Sequence, residues 1–386
     1  MLELGSLIAG PFCAKTLGDF GAEVIKLEPP GEGDALRKWR RMRNGTSLWW
    51  HVQSRNKKSV TCDLRQAEGQ EIVRRLARGA HIMIENFRPG ALERWNLGWE
   101  ALSAANPQLI LVRISGYGQT GPYRERPGFA AIAEAVAGMR YITGFPDRPP
   151  VRPNLSLGDT IAALHGVIGA LLALHAVKNG AGGQVIDVAL YEAVFNCMES
   201  LLPEYDAQRY VRERSGSALP GIAPSNLCPC SDGAYVLIAG NADSLFRRLM
   251  SAIGREDLGG DPALARNDGR AAQMQRIDGA IADWTSKRTL AEVLAAMEAA
   301  EVPAGRIYTA ADIAADPHYV ARGMIERITA ADGEVLAVPG IIPKLSGTPG
   351  AIRTQAPKLG EHTDEVLRQI GYGDEEIARL REAQVI

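Results

Sequence analysis

Between Leu2 and Gly118 the chain alternates short apolar runs with helical stretches, and this alternation constrains the fold more than any other feature. LELGSL opens as a strand. Gly10-Pro11 then starts a helix where the missing proline N–H costs little. EVIKLEPP is a second strand, stopped by two prolines. The pattern continues with a strand at SVTCDL (59–64), a helix over 66–79 and a strand at HIMIENF (81–87). A break at Arg88-Pro89-Gly90, a helical stretch in two pieces and the strand QLILVRISGYG (108–118) complete it. Strand–helix–strand units of this length predict a Rossmann-like α/β domain with a parallel sheet.

Beyond Gly118 the order loosens. QTGPYRERP (119–127) is a loop, residues 128–139 are helical, and FPDRPPVRP (145–153) is stiff extended chain. SLGDTIAALHGVIGALLALHAVKNG reads as a long buried helix with Asp159 at its mouth. QVIDVAL (184–190) is a strand feeding a helix that runs to Tyr210. Composition shifts near Arg212, where RERSGSALPGIAPSN is a loop bearing glycine and proline. LCPC, SDG and AYVLIAGN form a β-hairpin, and 242–300 is helical, with Trp284, Leu290, Val293, Leu294 and Met297 at helical spacing. Short strands return at 305–309 and 333–340, and an amphipathic helix over 374–383 closes the chain. The expected organisation is a large α/β domain over 1–209, a smaller α+β domain over 210–305, and a C-terminal segment, 306–386, returning to the large domain.

A net charge of −2 argues against a nucleic-acid partner or a polybasic membrane anchor. Met1 leads straight into LELGSLIAGP without a basic leader, so no signal peptide is expected. The run from Ile161 to Val177 falls short of the roughly 20 apolar residues of a membrane span and carries His165 and His175, so no span is expected either. Five scattered cysteines (Cys13, Cys62, Cys197, Cys228, Cys230) fit reduced thiols in a cytoplasmic setting.

Several chemical signatures are missing. Gly5, Gly10, Gly18 and Gly21 do not have GxGxxG spacing, and GxxxxGK[ST] and GxSxG do not occur. None of the six histidines forms HExxH or neighbours cysteines at zinc spacing, so no metal is expected. Cys228-Pro229-Cys230 puts two thiols on one side of a strand rather than at CxxC spacing. Carboxylates and glycine-bearing loops remain. On spacing alone Asp159 reads as the N-cap of an apolar helix. Arg88 and Arg94 read as solvated charges, and Glu85 and Asp63 as structural carboxylates. NFRPG nevertheless follows a strand end, the edge where α/β sheets bind ligands.

IAGPFCAKTLGDFGAEVIKLEPPGEGD (8–34) resembles the opening of the class III CoA-transferases. The resemblance continues through RNKKSVTCDL (55–64), IENFRPGALERW (84–95), ISGYGQTGPYRERPGF, GDTIAALHGVIGALLAL, GQVIDVALYEAV, DPHYVARGM (316–324) and GEHTDEVLRQIGYGDEEI (360–377), nearly the whole chain in order. It implies a CoA-transferase acting on acyl-CoA and carboxylic acid substrates, with coenzyme A as part of the substrate and no permanently bound cofactor. It implies that Asp159 is the nucleophile and that Asn86, Phe87 and Arg88, with Arg94, meet CoA. Ile8, Ala9 and Gly10 fall on the turn flanking the active site. Ala218 to Ser225 falls where formyl-CoA transferase has a glycine-rich covering loop, although this region holds only Gly216 and Gly221. An interlocked homodimer is also implied.

The same superfamily includes α-methylacyl-CoA racemase, which needs a histidine after the ERPG loop. GFAAIAEAVAG (128–138) has none, so transfer is favoured; a racemase or epimerase and a non-catalytic acyl-CoA-binding homologue are the alternative readings. Ala130 stands where formyl-CoA transferase has a glutamate. Its N-terminal turn carries polar side chains where this chain has Ser6, Leu7 and Ile8. The run FAAIAEAVAGMRYITGFPDRPPVRP looks more like the succinyl-CoA-dependent dicarboxylate transferases, with Arg126, Arg140 or Arg152 as candidates for a distal carboxylate.

Overall fold

The computed structural model describes residues 1–330 and 332–386. The chain divides into two compact units. The first comprises 1–139, 153–209 and 318–386, and the second comprises 140–152 and 210–317. Residues 140–152 and 306–317, which the sequence reading assigns to the large domain, thus group with the second unit.

The first unit is built on six parallel strands: β1 (Leu2–Glu3), β2 (Val24–Glu28), β3 (Lys57–Thr61), β4 (Ile82–Glu85), β5 (Ile110–Ser115) and β6 (Gln184–Ala189). Their spatial order is β3-β2-β1-β4-β5-β6. This is the doubly wound Rossmann order, so the parallel α/β layer expected from the alternation is present. Successive strand residues face opposite sides, and both sides are buried. Leu2, Met83 and Leu111 pack with Ile72 and Val73 and with the C-terminal residues Val366, Leu367 and Leu380. Ile82, Ile84, Ile110, Val112 and Ile114 pack on the other side with α1 (Ala9–Asp19). Helix α2 (Ala67–Arg78) lies on the Leu2 side. Helices α3 (Ala130–Val136), α4 (Leu157–Lys178) and α5 (Leu190–Phe195) complete the α1 side.

Helix α4 is not buried all round, as its apolar sequence suggests. Gly158, Ala162, Ala163, Gly166, Ala170 and Ala173 are buried. Leu164, Ile168, Leu171 and Leu172 are 44 to 66% exposed. At 100° per residue the two sets lie on opposite faces. Small residues let α4 approach closely: a Cβ on Gly166 would lie 3.2 Å from Cys13 Sγ on α1 and 3.4 Å from Ile114 and Val112 on β5. The helix is long and apolar enough to cross a membrane by length and composition. Its Gly/Ala face is nevertheless packed into the unit's own core.

The second unit carries an antiparallel sheet of β7 (Ser225–Pro229), β8 (Tyr235–Ala239) and β9 (Ala304–Arg306), with β8 central. The expected hairpin is therefore present, and the strand expected at 305–309 is limited to 304–306. Helices α6 (Asp243–Ala252), α7 (Met274–Thr285) and α8 (Leu290–Ala299) bury Phe246, Ile277, Ile281, Val293 and Met297 against Val236 and Ile238. The T-x-x-E start of α8 forms a capping box between Thr289 and Glu292.

Candidate functional site

In an open parallel sheet the ligand crevice lies beyond the carboxyl ends of the strands, where the strand order reverses. Here that point lies between β1 and β4. The loops leaving these strands are Gly5–Leu7 and Asn86–Arg88. Asn86 ties them together: Ser6 N donates to its Oδ1 at 2.8 Å, and its Nδ2 donates to Ser6 O at 2.9 Å. The approach is close enough to require glycine, since a Cβ on Gly5 would lie 2.6 Å from Asn86 Oδ1. Gly10, in the first turn of α1, sits against the same amide. Asn86 thus clamps two loops with both ends of its amide.

Leu7 lies between them with φ +66°, a left-handed backbone conformation uncommon outside glycine. Its N–H donates to the Asp34 carboxylate, 3.0 Å from Oδ1. Lys26 Nζ lies 2.8 Å from Asp34 Oδ2 and from Glu3 Oε1. Lys57 Nζ lies 2.7 Å from Glu3 Oε2. Glu28 takes a two-pronged bond from Arg37. Glu3, Lys26, Glu28, Asp34 and Lys57 are buried, and Arg37 is partly buried. Burial works to raise the Asp34 carboxyl, but the Lys26 ammonium overrides it and holds the group below the usual carboxylate range.

A cavity of about 360 Å³ opens over these strand ends. Residues 4–6, 26–29, 32–35 and 62–65 line it, with Phe87 and Trp95. The Phe87 and Trp95 rings meet edge to face with centroids 5.1 Å apart. Volume and lining fall in the range of small-molecule sites. Arg88 and Arg94 are exposed and do not line the cavity, whereas Arg65 does, bonded to Asp63.

Behind Phe87 stands Glu85, which accepts the Phe87 N–H at 2.7 Å and pairs with Arg113 at 2.7 Å. Burial pushes the Glu85 carboxyl up to about 7 from an ordinary 4.5, against the pull of Arg113. The folded chain therefore holds this proton at pH values where the unfolded chain has released it. The stabilising contribution is full below 4.5 and is lost as pH rises through about 7. Glu85→Gln is expected to flatten the decline of Tm over that window. An unchanged slope in thermal melts across the window contradicts this assignment.

Asp159 lies in the first turn of α4 and is partly exposed. It is not the N-cap that spacing suggests. Ser156 holds that position without a side-chain bond to the helix, and the Gly158 N–H is taken by Glu134 Oε1 at 3.2 Å. Glu134, wholly buried on α3, is a capping carboxylate with no local sequence signal. The direction of α4 fixes where Asp159 sits. The helix joins the neighbouring parallel strands β5 and β6 and so runs antiparallel to them, with Gly166 over Val112 and Ile114 and Gly169 over Ile186. The helix therefore descends toward the amino ends of the strands. Asp159, seven residues before Gly166 and about 10 Å further along the axis, lies toward the carboxyl edge of the sheet.

Of the other candidates, Arg126 stacks on Tyr123, 3.6 Å from the ring centroid. Arg140 and Arg152 belong to the second unit. Residues 218–225 also lie in that unit, where Asn267 bridges Gly221 O and Ala223 N.

Residues 1–363 match the model of CoA-transferase family III. Succinyl-CoA–D-citramalate CoA-transferase of Chloroflexus aurantiacus is 47% identical over 388 residues, spanning 100% of this chain and 96% of its own. The succinyl-CoA–L-malate CoA-transferase beta subunit of the same organism is 46% identical over 391 residues, with the same coverage. A crystal structure of a CAIB/BAIF family protein from Brucella suis superposes with a TM-score of 0.83 at 35% identity, covering 96% of this chain and 97% of that one.

Proposed function

This chain belongs to CoA-transferase family III, and on that premise we propose that it moves CoA from succinyl-CoA to a dicarboxylic acid through a covalent intermediate on Asp159. The observation that carries this reading is the place of Asp159, toward the carboxyl edge of the sheet, in a chain alike from end to end to the citramalate and malate transferases.

The net exchange of one thioester for another has little driving force, so the barrier is kinetic. A carboxylate is ionised at neutral pH and needs no general base. Held beside the thioester and shielded from water, it attacks the acyl carbonyl. The C–S bond breaks, CoA leaves as thiolate, and an acyl–aspartyl anhydride forms. The thiolate then attacks the aspartyl carbonyl, giving aspartyl-CoA thioester and free succinate. The acceptor carboxylate repeats these steps in reverse, leaving acceptor-CoA and a restored Asp159. Backbone N–H groups at the start of α1, from Ile8, Ala9 and Gly10, stabilise the tetrahedral oxyanions. CoA enters over the Phe87–Trp95 edge, with Arg88, Arg94 and Arg65 meeting its phosphates.

The working form is a homodimer, interlocked as in the family, in a cytoplasmic setting. The apolar face of α4 supports the dimer, continued by Phe129, Ile132 and Val136 around α3, all of them exposed in the single chain. Transfer is favoured over racemisation because residues 128–138 hold no histidine.

A panel of acids mixed with succinyl-CoA tests the reading. Formation of a new dicarboxyl-CoA, without exchange of α-hydrogen for deuterium, is expected. Deuterium incorporation in the absence of any acceptor acid contradicts it.

A further inference from the structure

Three consecutive residues before α1 are each gripped by a side chain from elsewhere. Asn86 holds Ser6, Asp34 holds the Leu7 N–H, and Gln53 Nε2 donates to Ile8 O at 2.9 Å. The grip on Leu7 is the unusual one, because it fixes an aliphatic residue at φ +66°. Asp34 is 2% exposed, and the Leu36 N–H also bonds it, at 2.9 Å. Behind it a buried chain of charge runs from Asp34 to Lys26, Glu3 and Lys57. Both lysines of that chain return to the same segment: Lys26 donates to Gly5 O at 2.9 Å and Lys57 to Pro11 O at 2.8 Å. Burying four charges is a poor way to gain stability, since apolar packing does as well without the desolvation cost. What such a network supplies is one fixed geometry for the backbone it grips, here residues 5–11.

We propose that Asp34 is a positioning residue for CoA transfer, holding Leu7 left-handed so that the N–H groups opening α1 face the reacting acyl carbonyl. This rests on the transferase reading above. Asp34 itself touches no reacting atom. Its loss therefore lowers turnover rather than affinity for the thioester. The dependence on Asp34 also weakens when residue 7 is glycine, which adopts positive φ without restraint.

The test is exchange of labelled succinate into succinyl-CoA, which needs no knowledge of the natural acceptor. It is run on wild type, Asp34→Ala, Leu7→Gly and the double variant, with melting curves for each. Asp34→Ala is expected to lower kcat about 10- to 100-fold with KM for succinyl-CoA within about threefold. The same change on the Leu7→Gly background is expected to cost at least about tenfold less. If Asp34→Ala does not fold, Asp34→Glu serves. It keeps the charge for Lys26, moves the carboxylate away from the Leu7 N–H, and is expected to lower kcat in a folded protein. A rise in KM at unchanged kcat, or the same loss on both backgrounds, overturns the proposal. Absence of exchange by the wild type instead overturns the transferase reading on which it rests.

Discussion

Asp159→Asn is expected to abolish CoA exchange, by at least about 10³-fold in kcat, while leaving the chain folded. The amide retains the size and one oxygen of the carboxylate but cannot form an anhydride with the acyl group. Folding should survive because Asp159 does not cap α4; Ser156 occupies the cap and Glu134 takes the Gly158 N–H. Loss of the favourable interaction of an anion with a helix N-terminus costs about 0.3–1 kcal/mol. Binding of succinyl-CoA should therefore be nearly unchanged. Calorimetric titration of the variant checks that half, and a coupled exchange assay checks the other. Retention of more than a tenth of wild-type turnover would rule out Asp159 as the nucleophile.

The second large effect concerns the open face of α4. Ile168 is 54% and Leu172 66% exposed in the single chain. Covering the exposed part of each aliphatic side chain against a second copy contributes about 1–2 kcal/mol. A carboxylate in their place adds the cost of burying an unpaired charge. Ile168→Glu combined with Leu172→Glu is thus expected to weaken dimerisation by about 10³-fold or more. Analytical ultracentrifugation at micromolar concentration should find dimer for the wild type and monomer or unassembled chain for the variant. A monomeric wild type contradicts the dimer. Uptake of the wild type by lipid vesicles, abolished by the same substitutions, would instead assign the face to a membrane.

Much of the first unit was legible because its signals are local. The alternation of strands and helices from Leu2 to Ser115 carries the parallel sheet, since a strand buried on both faces must be apolar along its length. Spacing alone makes Asp159 a cap; only the motifs around it set it apart. The burial of α4 was not legible in the same way. An apolar helix reads alike whether its second face meets the core or another chain. The clue lay in side-chain size: Gly158, Ala162, Gly166, Ala170 and Ala173 form one face and Leu164, Ile168, Leu171 and Leu172 the other. The charges that shape the crevice were harder still. Glu3, Lys26, Asp34 and Lys57 come from separate segments, and no periodicity links residues that meet only when β1, β2 and β3 align. The resemblance implies a CoA contact at Asn86; no sequence pattern shows that its amide clamps Ser6. Glu134 carried no signal at all, because a carboxylate capping a helix from another element leaves no mark in the capped segment.

The most direct measurement is to trap the intermediate. The protein is incubated with succinyl-CoA without acceptor acid, treated with hydroxylamine, digested and analysed by mass spectrometry. An acyl-activated aspartate reacts to form the hydroxamate, so the peptide containing Asp159 should carry that mass change, with activity lost in proportion. The change should require succinyl-CoA and be absent in Asp159→Asn. Full exchange activity with an unmodified Asp159 peptide, or a hydroxamate on a different carboxylate, contradicts the account.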